Sequence, residues 1–310
     1  MTRLAVRRLL QVPFVLLVVY TVSVALVAAT PGDPLATGDK EMTPEARRAK
    51  EVKYNYDQPW YRRYFYTWPI QRLLIDRDLP AHRYEDWTVP EILGASLPVS
   101  LQLGLFAFCL AVAGGLTAGI LSAARRNTWI DYLSVALAMI GISLPTFVIG
   151  AGLLILFGLW LGVLPIGGWG QARQVILPGV TLSLPFMAYM ARLTRAGMLD
   201  VIGEDYIRTA RAKGVGPRRV LLVHAFKNAF LPVLSYLGPA AAAILTGSFV
   251  VEKIYTVPGM GTHVVESVSN RDQTVILGTV LTYSVFLMLF NLLVDLAYGW
   301  IDPRIRLGEE

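Results

Sequence analysis

The sequence predicts an all-α, polytopic membrane protein with six transmembrane helices, and three observations predict it. Of 310 residues, 55% are hydrophobic and 16% charged, against about 25% charged in an ordinary soluble domain. Six stretches reach the roughly 20 apolar residues that a helix needs to cross a hydrocarbon core about 30 Å thick. None alternates with the period of two that a barrel strand shows, which leaves the helix as the spanning element that satisfies its own backbone.

The first stretch, Leu9 to Ala29, follows Arg3, Arg7 and Arg8. Basic residues before an apolar run also describe a secretory signal, and "VALVAAT" offers small residues near a cleavage point. The run exceeds the core of a signal and more spans follow, so it is read as a membrane helix. Leu97 to Ala124 is the second span and Tyr132 to Val163 the third. The third is overlong and Pro145 interrupts it, so it reads as one kinked helix or two short ones. Ile176 to Leu193, Phe230 to Val251 and Val275 to Ile301 complete the set.

Charge orients them. Arg125 and Arg126 precede the third stretch, while Arg192 lies at the end of the fourth and Arg195, Arg208, Arg211, Lys213, Arg218 and Arg219 follow it. Placing both clusters in the cytoplasm requires an even number of crossings between them, so the third stretch counts once. The same rule puts both termini in the cytoplasm, the end carrying Arg304 and Arg306 after the sixth crossing. The net charge of +6 then reflects cytoplasmic loops and not affinity for nucleic acid. The chain divides into an N-terminal helix, 1–30, an external region, 31–96, and a five-helix core, 97–310, containing a cytoplasmic loop at 199–228.

That loop holds the polar run "GEDYIRTARAKGVGPRRV" between two apolar stretches. Asp205 is placed to cap a helix over Tyr206 to Lys213, Gly214 to end it in the left-handed conformation, and Pro217 to start a second helix reaching about Asn228. Thr209, Ala210 and Ala212 are small enough to admit another surface, and Arg208, Arg211 and Lys213 flank them. Arginines there can grip carboxylates in pairs of hydrogen bonds. Two readings stand from the residues alone: a basic loop resting on lipid headgroups, and a docking element. The cap and the placed glycine favour docking.

Other conspicuous residues carry little chemistry. The single cysteine, Cys109, sits in an apolar stretch and can form no internal disulfide. His82, His224 and His263 stand far apart with no ligand-spaced partner. No Walker A pattern occurs, so the chain is read as binding no ATP itself. Gly115 and Gly119, and Gly158 and Gly162, are small-xxx-small pairs that allow close helix packing. Pro178, Pro185, Pro232 and Pro239 suggest kinks. Asp295, one turn from Asn291 in the sixth span, reads as a structural partner of an arginine such as Arg304. The aromatic run "YNYDQPWYRRYFYTW" at 54–68 reads equally as an interfacial helix and as a platform for an external protein.

The run "YIRTARAKG...PRRVLLVHAFKNAFLP" at 206–232 resembles the coupling loop of the permease subunits of ABC importers, in the form of the dipeptide and oligopeptide branch. "DQPW" at 57–60, "SLPVSLQLG" at 96–104, "VEKIYTVPGMG" at 251–261, "NRD" at 270–272 and "NLLVDLAYGWIDPRIR" at 291–306 extend the resemblance over nearly the whole chain. It implies an ABC-importer permease fold in a bacterial inner membrane. It further implies no catalysis in this chain, a second homologous permease as partner, an external substrate-binding protein, and two ATPase subunits that bind ATP and magnesium. The docking residues it implies are Asp205, Tyr206, Arg208, Thr209, Ala210, Arg211, Ala212, Lys213 and Gly214. The family shows Tyr-Pro after "NRD" where this chain has Gln273 and Thr274, which opens a question about the external region. A self-contained channel or secondary transporter is the alternative, but this chain shows neither charged residues inside several spans nor the internal hydropathy repeat usual in such proteins.

Overall fold

The computed structural model describes residues 2–31, 33, 35, 42–82, 84, 86–246 and 249–301, and side-chain surroundings within that set apart from 2–9, 246 and 294–301. Among them no β-strand forms, only a single antiparallel bridge between Pro80 and Thr88. Among the described residues five helices are long and apolar enough to cross a membrane, and a bent pair that counts as one broken crossing gives six.

Helix α1, Thr2–Ala29, is the first. Short helix α2, Pro44–Lys53, and α3, residues 60–76, lie in the polar region that follows. Helix α4, Val89–Ala124, is 36 residues long, about 54 Å at 1.5 Å per residue. It begins eight residues before the expected Leu97, and a capping box explains the difference. Thr88 N donates to Glu91 Oε2 at 2.8 Å while Glu91 N donates to Thr88 Oγ1, with Pro90 in the first turn where its missing donor costs nothing.

Helix α5, Trp129–Ser143, and helix α6, residues 146–160, replace the expected third span, and they bend by 113° at the junction. Pro145 is the cause. Leu144, forced toward extended geometry as the residue before a proline, has ψ 134° and closes α5 through its N–H to Ile140 O. Helix α7, Ala172–Ile202, runs unbroken through Pro178 and Pro185. Helices α8, Asp205–Ala212, and α9, residues 217–229, form the polar loop. Helices α10, Leu231–Thr246, and α11, Phe249–Ile254, occupy the fifth stretch, followed by α12, Met260–Asn270, and α13, Gln273–Ile301.

The chain folds as two compact units that do not follow chain order. The first joins the residues up to Ser100 with Pro258–Leu289. Its core gathers Tyr20 and Val24 of α1, Tyr64 and Trp68 of α3, Ile92 of α4, Met260 and Val275. The aromatic run is therefore a packed core more than an interfacial face, although Trp60 and Tyr61 remain exposed. Arg63 is buried there among rings, its guanidinium carbon 4.0 Å from the centre of Tyr56 and 4.7 Å from Tyr64, an arrangement that exchanges water for π faces.

The second unit contains Leu101–Val257 and the chain from Phe290. Helices α4 and α7 approach closely along Gly115 and Gly119: a Cβ on Gly119 would lie 2.5 Å from Thr194 Cβ and 2.6 Å from Ala191 O. Gly158 meets Ile166, but Gly162 lies beyond the end of α6 with φ 61°, so that pair is not a helix-packing stripe. Asp295 and Arg304 lie outside the residues whose side chains are described.

Candidate functional site

Helix α8 is short, and its sequence Asp-Tyr-Ile-Arg-Thr-Ala-Arg-Ala divides it into one buried side chain and an exposed remainder. Ile207 is fully buried, in a cluster with Ala123 at the end of α4, Met198 near the end of α7, and Val220, Ala225 and Ala229 of α9. Ile207, with the half-buried Ala210 packed against the same cluster, thus fixes the polar helix to the ends of two membrane helices.

The exposed residues stand where water or another surface can reach them. Asp205, Tyr206, Arg208, Thr209, Arg211, Ala212, Lys213 and Gly214 are exposed, and Ala210 is half-buried. The helix is capped one residue earlier than expected: Glu204 takes the cap position, and Asp205 sits in the first turn, where negative charge is favoured by the helix dipole. Asp205 Oδ1 accepts from Arg208 Nη1 at 3.2 Å, a solvent-exposed pair of small energetic weight. Thr209 Oγ1 donates back to Asp205 O at 2.9 Å. Arg211, Lys213, Arg218 and Arg219 pair with no carboxylate among the described residues.

Gly214 ends α8 with φ 76°. Val215 N donates to Ala210 O at 3.2 Å and Gly214 N to Arg211 O at 3.0 Å, the two bonds of a Schellman closure. No atom lies within 4 Å of where a Cβ would stand on Gly214, so only the left-handed backbone demands glycine. Pro217 opens α9, whose middle, Val220–Ala225, widens into a π-type turn. Asn228 Nδ2 donates to Tyr206 Oη at 2.9 Å, joining the two loop helices. On its other side α9 meets α7, where Gly197 brings its backbone against Ala229 O.

A second polar feature stiffens the same end. Asp131 of α5 accepts from Arg195 of α7 at two points, from Ser122 Oγ of α4 at 2.5 Å, and from Asn127 N at 2.9 Å. Sequence reading placed Arg195 only among loop charges and passed over Asp131. The signal available was a lone carboxylate in the first turn of an apolar stretch, which demands a partner.

The first unit answers the question left by Gln273 and Thr274. Gln273 Oε1 accepts from Tyr64 Oη at 2.7 Å and Tyr56 Oη at 3.0 Å. Thr274 Oγ1 lies 2.9 Å from Pro80 O. Burial, with the neighbouring Tyr64, pushes the Tyr56 hydroxyl above its ordinary value, so it stays a donor. Asp272 caps α13 through Val275 N and lies 3.3 Å from His82 Nδ1. His82 therefore has a carboxylate neighbour that sequence spacing concealed, 190 residues away. Among the described residues no group of three or more His, Cys, Asp or Glu gathers at a metal-binding distance.

A set of helices long and apolar enough to cross a membrane, with an exposed basic helix pair anchored to their ends, defines a multi-pass membrane protein with a polar appendage. Residues 115–307 match the binding-protein-dependent transport system inner membrane components, and the chain belongs to that family, the permeases of ABC importers. It is 41% identical over 308 residues to the oligopeptide transport system permease protein OppB of Escherichia coli, covering 99% of this chain and all of that protein. It is 40% identical to the dipeptide transport system permease protein DppB of Bacillus subtilis, with both chains fully covered. With OppB of Haemophilus influenzae it shares 38% identity over 99% of this chain and all of that one. The protein is accordingly a multi-pass permease component of the cytoplasmic membrane.

Proposed function

We propose that this chain is the membrane-spanning subunit of an importer for peptides of the dipeptide and oligopeptide class, and that α8 is where ATP-driven motion enters it. The observation that carries the reading is the division of α8: Ile207 buried against the ends of α4 and α7, with Arg208, Arg211 and Lys213 exposed. A helix anchored this way transmits displacement to two membrane helices, while its basic, small-residue surface remains for a partner with carboxylates to grip. The peptide class rests on the named relatives, full-length matches from both oligopeptide and dipeptide systems.

In this reading, both termini and the 199–228 loop are cytoplasmic, residues 31–96 are external, and the core of 97–310 forms the pathway with a second, homologous permease. Two ATPase subunits hold ATP and magnesium and hydrolyse the nucleotide; this chain contributes no catalytic group. An external binding protein delivers the peptide, and closure of the ATPases drives alternating access around a site within the bilayer.

The test is co-purification with the ATPase subunits in mild detergent, comparing wild type with a Gly214→Val, Arg211→Glu double variant. Valine resists the left-handed conformation of position 214, and glutamate reverses the charge offered to the partner. Loss of the ATPases from a folded variant is expected; retention with unchanged transport would remove the docking role and bring forward the channel or secondary-transporter alternative. A reporter fused after Arg126 should appear in the cytoplasm and one between residues 40 and 90 outside.

A further inference from the structure

Helices α4, α5 and α7 leave between them an open cavity of about 380 Å³. Its two ends differ. One holds Arg192, Arg195 and Ser122; the other runs along α5 past Ala138 and Met139 to Ile142.

Charge at the polar end does not cancel. Arg195 is matched by Asp131. Arg192 is exposed, and its side chain pairs with no carboxylate among the described residues. Arg125 and Arg126, also exposed, stand on the turn whose Asn127 N holds Asp131. The mouth thus keeps a positive excess.

Depth follows from helix register. The apolar stretch of α7 that follows Arg173 and Gln174 runs from Ile176 to Leu193, about the length that crosses the hydrocarbon, which puts Arg192 at its boundary. On α5 the exposed aromatics Trp129 and Tyr132 mark the same level, as aromatic side chains do at membrane interfaces. From Ser134 to Ile142 the trough then descends about 12 Å into the apolar layer at 1.5 Å per residue. A cation at headgroup level above an apolar trough fits a ligand with an anionic head and a hydrocarbon tail.

We propose that this cavity is a binding site for an acidic phospholipid, its phosphate on Arg192 and one acyl chain lying along α5. Basic pockets between membrane helices take anionic headgroups for this electrostatic reason. The site itself rests on membrane insertion and not on the peptide reading or the docking of α8, and the assembly used to test it is the one proposed above.

The assembled transporter, delipidated in detergent and offered phosphatidylglycerol or phosphatidylcholine, is examined by native mass spectrometry. Wild type is expected to retain phosphatidylglycerol in preference to phosphatidylcholine. Arg192→Gln should reduce that retention about fivefold, the effect of one basic group near an anionic surface, while Arg192→Lys keeps most of it. Met139→Trp, which fills the trough, should displace the lipid with the cation still present. Equal retention by wild type and Arg192→Gln, no preference between the two lipids, or a neighbouring subunit sealing the trough so that no lipid is held would each overturn the proposal. Arg192 has no side-chain partner to lose among the described residues, so the glutamine variant is expected to fold; should it not, the lysine and tryptophan variants test charge and volume separately.

Discussion

Asp131 and Arg195 meet in a two-point ion pair, Nε to Oδ1 at 2.6 Å and Nη2 to Oδ2 at 2.9 Å. The carboxylate is 2% exposed and the arginine 28%. This asymmetry decides what each substitution does.

With Arg195→Ala, Asp131 remains a buried carboxylate with only Ser122 and one backbone N–H to hold its charge. With Asp131→Ala, the freed guanidinium can turn to water. One-sided removal of a buried pair costs about 3–5 kcal/mol, so Arg195→Ala is expected near that figure and Asp131→Ala well below it. Thermal unfolding of the purified permease in one detergent should rank them in that order; equal losses would count against the asymmetry.

Ile207→Ala should loosen α8 without touching its exposed surface. Removing a buried isoleucine costs about 2–5 kcal/mol. Hydrogen exchange of residues 203–216 should quicken. If α8 is the coupling element, ATP hydrolysis should persist while transport falls; transport at the wild-type rate would separate the anchor from coupling.

Tyr255 Oη lies 2.9 Å from both Gly150 O and Thr181 Oγ1. A carbonyl can only accept, so the tyrosine proton goes to Gly150 and Thr181 donates to the tyrosine oxygen. Tyr255→Phe removes one of two donors to Gly150 O, which still accepts from Leu154 N, so the cost is that of one hydrogen bond, about 0.5–1.5 kcal/mol. Since the bond holds α6 after the sharp break at Pro145, the variant should unfold at lower temperature, whereas Thr181→Ala should have a milder effect.

Gln273→Leu removes the acceptor shared by the buried Tyr64 hydroxyl and the half-buried Tyr56 hydroxyl. Leaving each donor unsatisfied costs about 1–3 kcal/mol. The double change Tyr56→Phe, Tyr64→Phe on the leucine background should recover part of the loss; no recovery would show that the glutamine acts otherwise than as their acceptor.

Membrane insertion, the apolar stretches and the ends of α8 were legible in the chain, because each depends on neighbours a few residues away. Hydropathy over about 20 residues decides partition into lipid, and the left-handed stop at Gly214 and the start at Pro217 are local backbone chemistry. Two errors of detail were local too. The capping box at Thr88 and Glu91 was readable and would have extended α4, and Glu204 in place of Asp205 shifts the start of α8 by one residue.

What only the tertiary structure decided is the pairing of polar groups and the anchoring of α8. Asp131 and Arg195 are 64 residues apart, Tyr255 and Gly150 are 105, and Tyr64 and Gln273 are 209. A buried polar group must find a partner, so the sequence announces that each of these needs one. Which partner it finds depends on how the helices pack, and helix packing is set by shape over distances that no local window contains.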